Sequence, residues 1–149
     1  MSDHTPTVEQ KTPVRERDPA WAREFEAMLD AYEKGGGKSD VLRAPRVASA
    51  VISANDVLSV NEIEGVTIEA EEQPNGVRAH ITVAPGTKVE HPVHLCFGMT
   101  ASEGLQEIDS HFEIGEGAEV GFLAHCTFPN AVELKHVMDA QVHVGPRAT

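Results

Sequence analysis

The apolar residues of this chain follow two different periods, one on each side of a glycine cluster. Before that cluster they recur three or four residues apart, which is the spacing of one helical face. They are Trp21, Phe25, Met28, Leu29 and Tyr32. Asp18 suits the N-cap, Pro19 suits the first helical position, and the glycines at 35–37 suit its end. Residues 18–40 are therefore predicted to form a short amphipathic helix and a glycine linker. The apolar face of this helix packs on its own domain or docks on a partner subunit.

After residue 40 the period becomes two, which is the alternation of a β-strand. Val77, Ala79, Ile81 and Val83, for example, alternate with polar or short side chains, and the pattern continues to Val144. Glycine, proline and asparagine separate the runs. Residues 41–149 are therefore predicted to be all-β. Residues 1–17 carry scattered charges and no apolar period, and they are predicted to be a disordered tail.

Part of the β region repeats itself. An offset of 31 residues superposes Val77 on Ile108, His80 on His111, Gly86 on Gly117 and His94 on His125. An offset of 30 superposes Ile108 on Met138, Asp109 on Asp139 and Gly115 on Gly145. A β period of about 30 is typical of a solenoid, and a β-sandwich with similar hairpins is the alternative. Because the third copy has only begun when the sequence ends, we expect an incomplete solenoid with exposed strand edges and core.

The charge and the cysteine content narrow the range of partners. The chain has 24 acidic and 12 basic residues, and this excess of negative charge disfavours binding to nucleic acid. No apolar run approaches the roughly 20 residues of a membrane span, and the first 17 residues lack the apolar stretch of a signal peptide. Two cysteines make no disulfide framework, so a cytoplasmic, reducing location is expected.

Strand alternation divides the cysteines and histidines of the repeat into two groups. His94, Cys96 and His125 are expected on the outer face, where the offset of 31 places His125 beside His94. Such side chains are ligands for zinc, iron or an iron–sulfur cluster, although an exposed ladder without chemistry is equally open.

Cys126 is expected on the inner face, stacked on Leu95, and His136 is expected to point inward as well. A histidine beside a thiol can make it a nucleophile or a sulfur carrier, whereas a cysteine among apolar residues is most often structural.

Four short motifs then point to a family. Residues 114–120 read Ile-Gly-Glu-Gly-Ala-Glu-Val, residues 125–129 read His-Cys-Thr-Phe-Pro, and residues 136–140 read His-Val-Met-Asp-Ala. Residues 92–97 read Pro-Val-His-Leu-Cys-Phe. Over residues 40–149 these motifs resemble the core of the SufB/SufD family, the scaffold subunits of an iron–sulfur cluster assembly machine. The glycine pattern occurs in many solenoids, whereas the His-Cys-x-Phe-Pro segment with its downstream histidine is more specific.

The resemblance implies a right-handed parallel β-helix and a non-catalytic scaffold of the SUF machinery. It implies an oligomer with a second SufB/SufD-type subunit, and an ABC-type ATPase, SufC, docked on a C-terminal helical region. It further implies sulfur from a cysteine desulfurase system, a transient iron–sulfur cluster, and Cys126 as the sulfur-handling cysteine. The later β-helix and the terminal helices of the family are missing from this sequence, so ATPase docking in the family's manner is not expected. No Walker motif is present.

Two other functions stay open at this point. A cupin-like, metal-dependent protein also supplies histidines from strands, but His91 and His94 fall on opposite faces of their strand and no His-x-His pair is present. A purely structural β-solenoid interaction module would need none of the cysteines or histidines.

Overall fold

The computed structural model describes residues 19–149, and the predicted tail and Asp18 lie outside them. One helix, one 3-10 turn and eight strands follow each other in the described range: α1 (Pro19–Lys34), the 3-10 turn (Ser39–Leu42), β1 (Ser49–Ser53), β2 (Asp56–Asn61), β3 (Val66–Gln73), β4 (Gly76–Val83), β5 (Val93–Gly98), β6 (Glu103–Ile114), β7 (Phe122–Thr127) and β8 (Glu133–Val144). The helix occupies the range predicted from its apolar stripe. Gly36 follows its last turn with a φ of 101°, a backbone conformation that glycine adopts without steric cost.

The strands form two four-stranded mixed sheets, ordered β2-β1-β5-β7 and β3-β4-β6-β8. Each sheet begins with an antiparallel pair, β1 with β2 and β3 with β4, and continues with parallel strands. The prediction of a right-handed parallel β-helix is therefore wrong, and residues 19–149 form neither a solenoid nor a closed barrel. The physical reason is that two tight turns, at Ala54–Asn55 and at Pro74–Asn75, fold the first two strand pairs back on themselves. Alternation of period two is the same in both kinds of pairing and did not reveal this.

The offsets found in the sequence reappear as strand register in one sheet only. β4 pairs with β6 at an offset of 31, so that Val77 lies beside Ile108, and β6 pairs with β8 at 30. In the other sheet β5 pairs with β7 at 29, so that Val93 lies beside Phe122. The change arises in the preceding loops, because Val89 still bonds to Glu119 but Val93 bonds to Gly121. Residues 90–92 of the first copy of the repeat therefore correspond to the single residue Gly121 in the second copy, which is two residues shorter.

One apolar core lies between the two sheets, and a second lies between α1 and the outer face of the first sheet. The inner core contains Leu95 and Phe97 of β5 together with Ile108 and Phe112 of β6. The outer core joins Phe25, Met28, Leu29 and Tyr32 of α1 to Val51, Leu58 and Cys96 of the sheet. Both faces of β5 are therefore buried, which explains its nearly continuous apolar sequence.

The side of the molecule formed by β7 and β8 is open. These are the outermost strands of their sheets, and most of their residues are exposed. Val142 and Val144 are 61% and 54% exposed, although Phe112 and Ile114, their partners on β6, belong to the core. The residues of β7 and β8 that point between the sheets can therefore be reached from solvent. No helix in residues 19–149 has the length and apolar character that crossing a membrane requires.

Candidate functional site

Cys126 and His136 meet at the open side, each on an outermost strand. Phe97 of β5 pairs with Cys126 and Gln106 of β6 pairs with His136, so both side chains point into the space between the sheets. The Cys126 Sγ lies 3.6 Å from the Nε2 of His136, within reach of a sulfur hydrogen bond. The residue Cys126 is exposed and His136 is partly buried. The arrangement places a thiol that solvent can reach beside a base.

A third side chain, that of Gln106, contacts the other ring nitrogen of His136. The Nδ1 of His136 lies 3.0 Å from the Oε1 of Gln106, which is fully buried. The Nε2 of Gln106 donates to the carbonyls of Ala54 and Gly98, at 2.9 Å and 2.8 Å. The ring of Phe128 lies 5.1 Å from the imidazole, centroid to centroid. His136 is thus positioned from two sides.

Desolvation keeps this pair uncharged at neutral pH. Burial raises the pKa of the Cys126 thiol above its ordinary value and lowers the pKa of the His136 imidazole. Both shifts disfavour the thiolate–imidazolium ion pair. Both shifts therefore favour the thiol and the neutral imidazole.

The other candidate residues lie on the outer face of the first sheet, beneath α1. Tyr32 of α1 is buried, its hydroxyl lies 3.0 Å from the Nδ1 of His94, and its ring meets that of His125 edge-on at 4.6 Å. Cys96 is completely buried, and its pKa is raised to about 12, first by burial and then by the nearby Cys126. The helix therefore covers Cys96 and His94, while His125 stays partly exposed.

The pairing predicted within these residues was wrong. His125 lies beside Cys96 rather than beside His94, and Cys126 lies beside Phe97 rather than beside Leu95. The second copy of the repeat is two residues shorter in the segment that corresponds to residues 90–92. This shifts the strand register by two. Because two is an even number, the paired neighbours change but every side chain stays on its predicted face. Cys96 and His125 do share the outer face, while Cys126 points inward.

No group of three or more His, Cys, Asp or Glu side chains in residues 19–149 is placed to hold a metal ion. The role of His94, Cys96 and His125 as ligands stays a prediction, and so does the cupin-like alternative. An iron–sulfur cluster generally takes four cysteine ligands, and the two cysteines here point to opposite faces of one sheet. Residues 19–149 therefore do not offer a complete ligand set for a cluster.

Gln106 and Tyr32 contact candidate site residues, and the sequence analysis did not predict either contact. Gln106 could have been found, because the offset of 30 that superposes Ile108 on Met138 also superposes Gln106 on His136. Tyr32 was assigned to the apolar stripe of α1, and nothing in its sequence position indicated a hydrogen bond to a strand 62 residues further on.

Comparison with known proteins finds two curated relatives. The chain is 36% identical, over 123 residues, to "Iron-sulfur cluster assembly SufBD family protein PH0883" of Pyrococcus horikoshii, covering 83% of this chain and 37% of that protein. It is 29% identical, over 106 residues, to "Iron-sulfur cluster assembly SufBD family protein MJ0034" of Methanocaldococcus jannaschii, covering 71% of this chain and 33% of that protein. The chain thus spans about a third of the length of these relatives. No protein-family model and no solved structure matches it. The resemblance predicted from the sequence motifs is confirmed: over most of its length this chain is similar to two proteins named as members of the SufBD family.

Proposed function

We propose that this chain takes part in iron–sulfur cluster assembly and that Cys126 accepts sulfur there. The relatives carry that process in their names, and the single observation behind the residue assignment is the 3.6 Å contact of Cys126 with His136. The contact lies on the open side of the sheets, where a donor can approach the sulfur. Cys96, which is completely buried, is not part of this proposal for sulfur uptake.

The step is a transfer of sulfane sulfur from a donor persulfide, R–S–S–H. The Cys126 sulfur attacks the outer sulfur of the donor and forms a new S–S bond, while its proton passes to the Nε2 of His136. The S–S bond of the donor breaks, and the leaving thiolate, R–S⁻, takes the proton from His136. The products are a Cys126 persulfide and a free thiol, and no oxidant or reductant is consumed.

The rest of the proposed function concerns partners. The donor is a cysteine desulfurase system, and the cluster is cargo that further subunits help to hold, since residues 19–149 lack its full ligand set. A second SufB/SufD-type subunit and a SufC-type ABC ATPase belong to the proposed assembly. The chain acts as a scaffold in the cytoplasm rather than as an enzyme. These statements about partners are carried over from the family to this chain, which spans 37% and 33% of the lengths of the two relatives.

The test measures the rate at which sulfur is taken up. The wild-type protein, His136→Gln, Cys126→Ser and Cys96→Ala are mixed with glutathione persulfide, and intact-protein mass spectrometry follows the gain of one sulfur atom. Glutamine can still donate to Gln106 but is not a base, so uptake by His136→Gln is expected to fall about a hundred-fold, at the lower end for a lost general base.

The controls separate this function from an inert thiol. Cys96→Ala is expected to take up sulfur at the wild-type rate, and Cys126→Ser is expected to take up none. An unassisted surface thiol would react equally in the wild type and in His136→Gln, and that equality would end the proposal.

A further inference from the structure

Gln106 is a fully buried carboxamide on the mostly apolar inner face of β6. Its neighbours on that face of β6 include Ile108, Ser110 and Phe112. Burying an amide is unfavourable unless its hydrogen bonds are satisfied. In this protein the NH₂ group and the oxygen of the Gln106 amide each face specific hydrogen-bond partners, and one of these partners is His136.

The orientation of the amide follows from its partners. The carbonyl oxygens of Ala54 and Gly98 can only accept hydrogen bonds, so both must face the NH₂ group of Gln106. These two bonds use both of its N–H hydrogens. The Oε1 is therefore the atom that faces His136, at 3.0 Å from the Nδ1, and an amide oxygen can only accept.

The orientation of the amide in turn decides where the imidazole carries its proton. Since the Oε1 accepts, the Nδ1 of His136 must be the protonated nitrogen. In a neutral imidazole the other nitrogen, Nε2, then carries a free lone pair. That lone pair is directed at the Cys126 Sγ, 3.6 Å away, where it can accept the thiol hydrogen.

We infer that Gln106 is a positioning residue, which holds His136 in the one tautomer whose Nε2 can take the proton of the Cys126 thiol. The inference rests on the proposed function for the identity of the reaction, but the tautomer is a property of the protein alone. Gln106 does not touch the thiol, and it acts only through the imidazole. Without it the imidazole would be free to place its proton on Nε2, and an N–H would then face the sulfur.

The first test uses the wild-type protein and therefore does not depend on the folding of any variant. The protein is labelled with ¹⁵N in its histidines, and the two ring nitrogens of His136, assigned by comparison with His136→Gln, are observed by NMR at neutral pH. The expected result is a protonated Nδ1 and an unprotonated Nε2. A proton on Nε2 would overturn the inference.

The second test removes the amide. In Gln106→Met the side chain keeps its length and loses both its donors and its acceptor, so His136 is expected to populate both tautomers. Alkylation of Cys126 by iodoacetamide is then expected to slow by up to roughly ten-fold, the net worth of one hydrogen bond. Ser110→Ala, which changes another buried polar residue on the same face of β6, is the control and should react at the wild-type rate.

The outcomes separate this inference from the proposed function. Unchanged alkylation in a folded Gln106→Met, with slow alkylation in His136→Gln, would refute the role of Gln106 and leave Cys126 and His136 in place. The expected tautomer and alkylation rates, combined with equal uptake of persulfide sulfur by the wild type and His136→Gln, would support the inference and remove the proposed function.

Discussion

The hydroxyl of Tyr32 is expected to anchor α1 on the first sheet, and Tyr32→Phe isolates its contribution. The hydroxyl lies 3.0 Å from the Nδ1 of His94, and Tyr32 and His94 are only 1% and 9% exposed. Phenylalanine keeps the ring and its edge-on contact with His125, so the change removes only the hydrogen bond. The Nδ1 of His94 is then left buried without this hydrogen-bond partner.

The size of the effect follows from that buried nitrogen. A buried polar atom that loses its hydrogen-bond partner costs about 1–3 kcal/mol, so the free energy of unfolding is expected to fall by that amount in Tyr32→Phe. The assay is urea unfolding followed by the fluorescence of Trp21, the single tryptophan. Its indole N–H donates to the carbonyl of Leu58 at 2.8 Å, so the signal reports on the contact between α1 and the sheet.

The matched control lies on the same helix and faces solvent. Lys34→Ala breaks the exposed ion pair with Asp30, 3.0 Å long and four residues apart, which is worth about 0.5 kcal/mol at most. If Tyr32→Phe were no more destabilising than Lys34→Ala, the hydrogen bond to His94 would not hold the helix, and this account of the outer core would be wrong.

Three other properties can be measured on the same protein. Of its two thiols, Cys126 should react with a thiol reagent in the native state. Cys96 is completely buried and has a pKa raised to about 12, so it should react only after unfolding. Two thiols that react in the native protein would contradict the burial of Cys96 beneath α1. Burial lowers the pKa of His94 below its ordinary value of about 6.5. The unfolded chain therefore binds this proton first, and stability should decline as the pH falls below about 6.5, with a smaller decline in His94→Asn; equal declines would exclude His94 as the cause. Finally, Gly76→Ala should lower the free energy of unfolding by about 3 kcal/mol, because the added Cβ would collide with the backbone of β6. The control is Gly121→Ala, whose added Cβ has no atom nearer than 3.9 Å and which should unfold like the wild type. Equal stability of the two variants would contradict the close pairing of β4 with β6.

The parts of the fold that were predictable are those fixed by local pattern. The stripe from Trp21 to Tyr32 defined α1, and the matches of Val77 with Ile108 and of Ile108 with Met138 gave the register of three strands. The antiparallel pairs β1–β2 and β3–β4 were missed, because residues alternate in the same way in parallel and antiparallel strands. The register of β5 and β7 was predicted wrongly because the repeat loses two residues just before β7, so the match of His94 with His125 at an offset of 31 does not correspond to strand pairing.

The site was predictable in part for the same reason. Alternation assigned the faces of Cys126 and Cys96, since an even change of register leaves faces unaltered. It could not show that α1 would cover Cys96, because burial of an outer face depends on a distant segment. Alternation alone did not show that Gln106 would bond to His136, and only the offset of 30, which superposes these two residues, indicated that they are neighbours.

The proposed role of Cys126 as the sulfur acceptor is tested by locating the sulfur after reaction with a persulfide. The wild-type protein, with both thiols present, is treated with glutathione persulfide, the remaining thiols are alkylated, and peptides are examined by mass spectrometry. We expect the added sulfur on Cys126, at a rate that depends on His136. Sulfur on Cys96, or uptake at Cys126 that is indifferent to His136→Gln, would contradict that role.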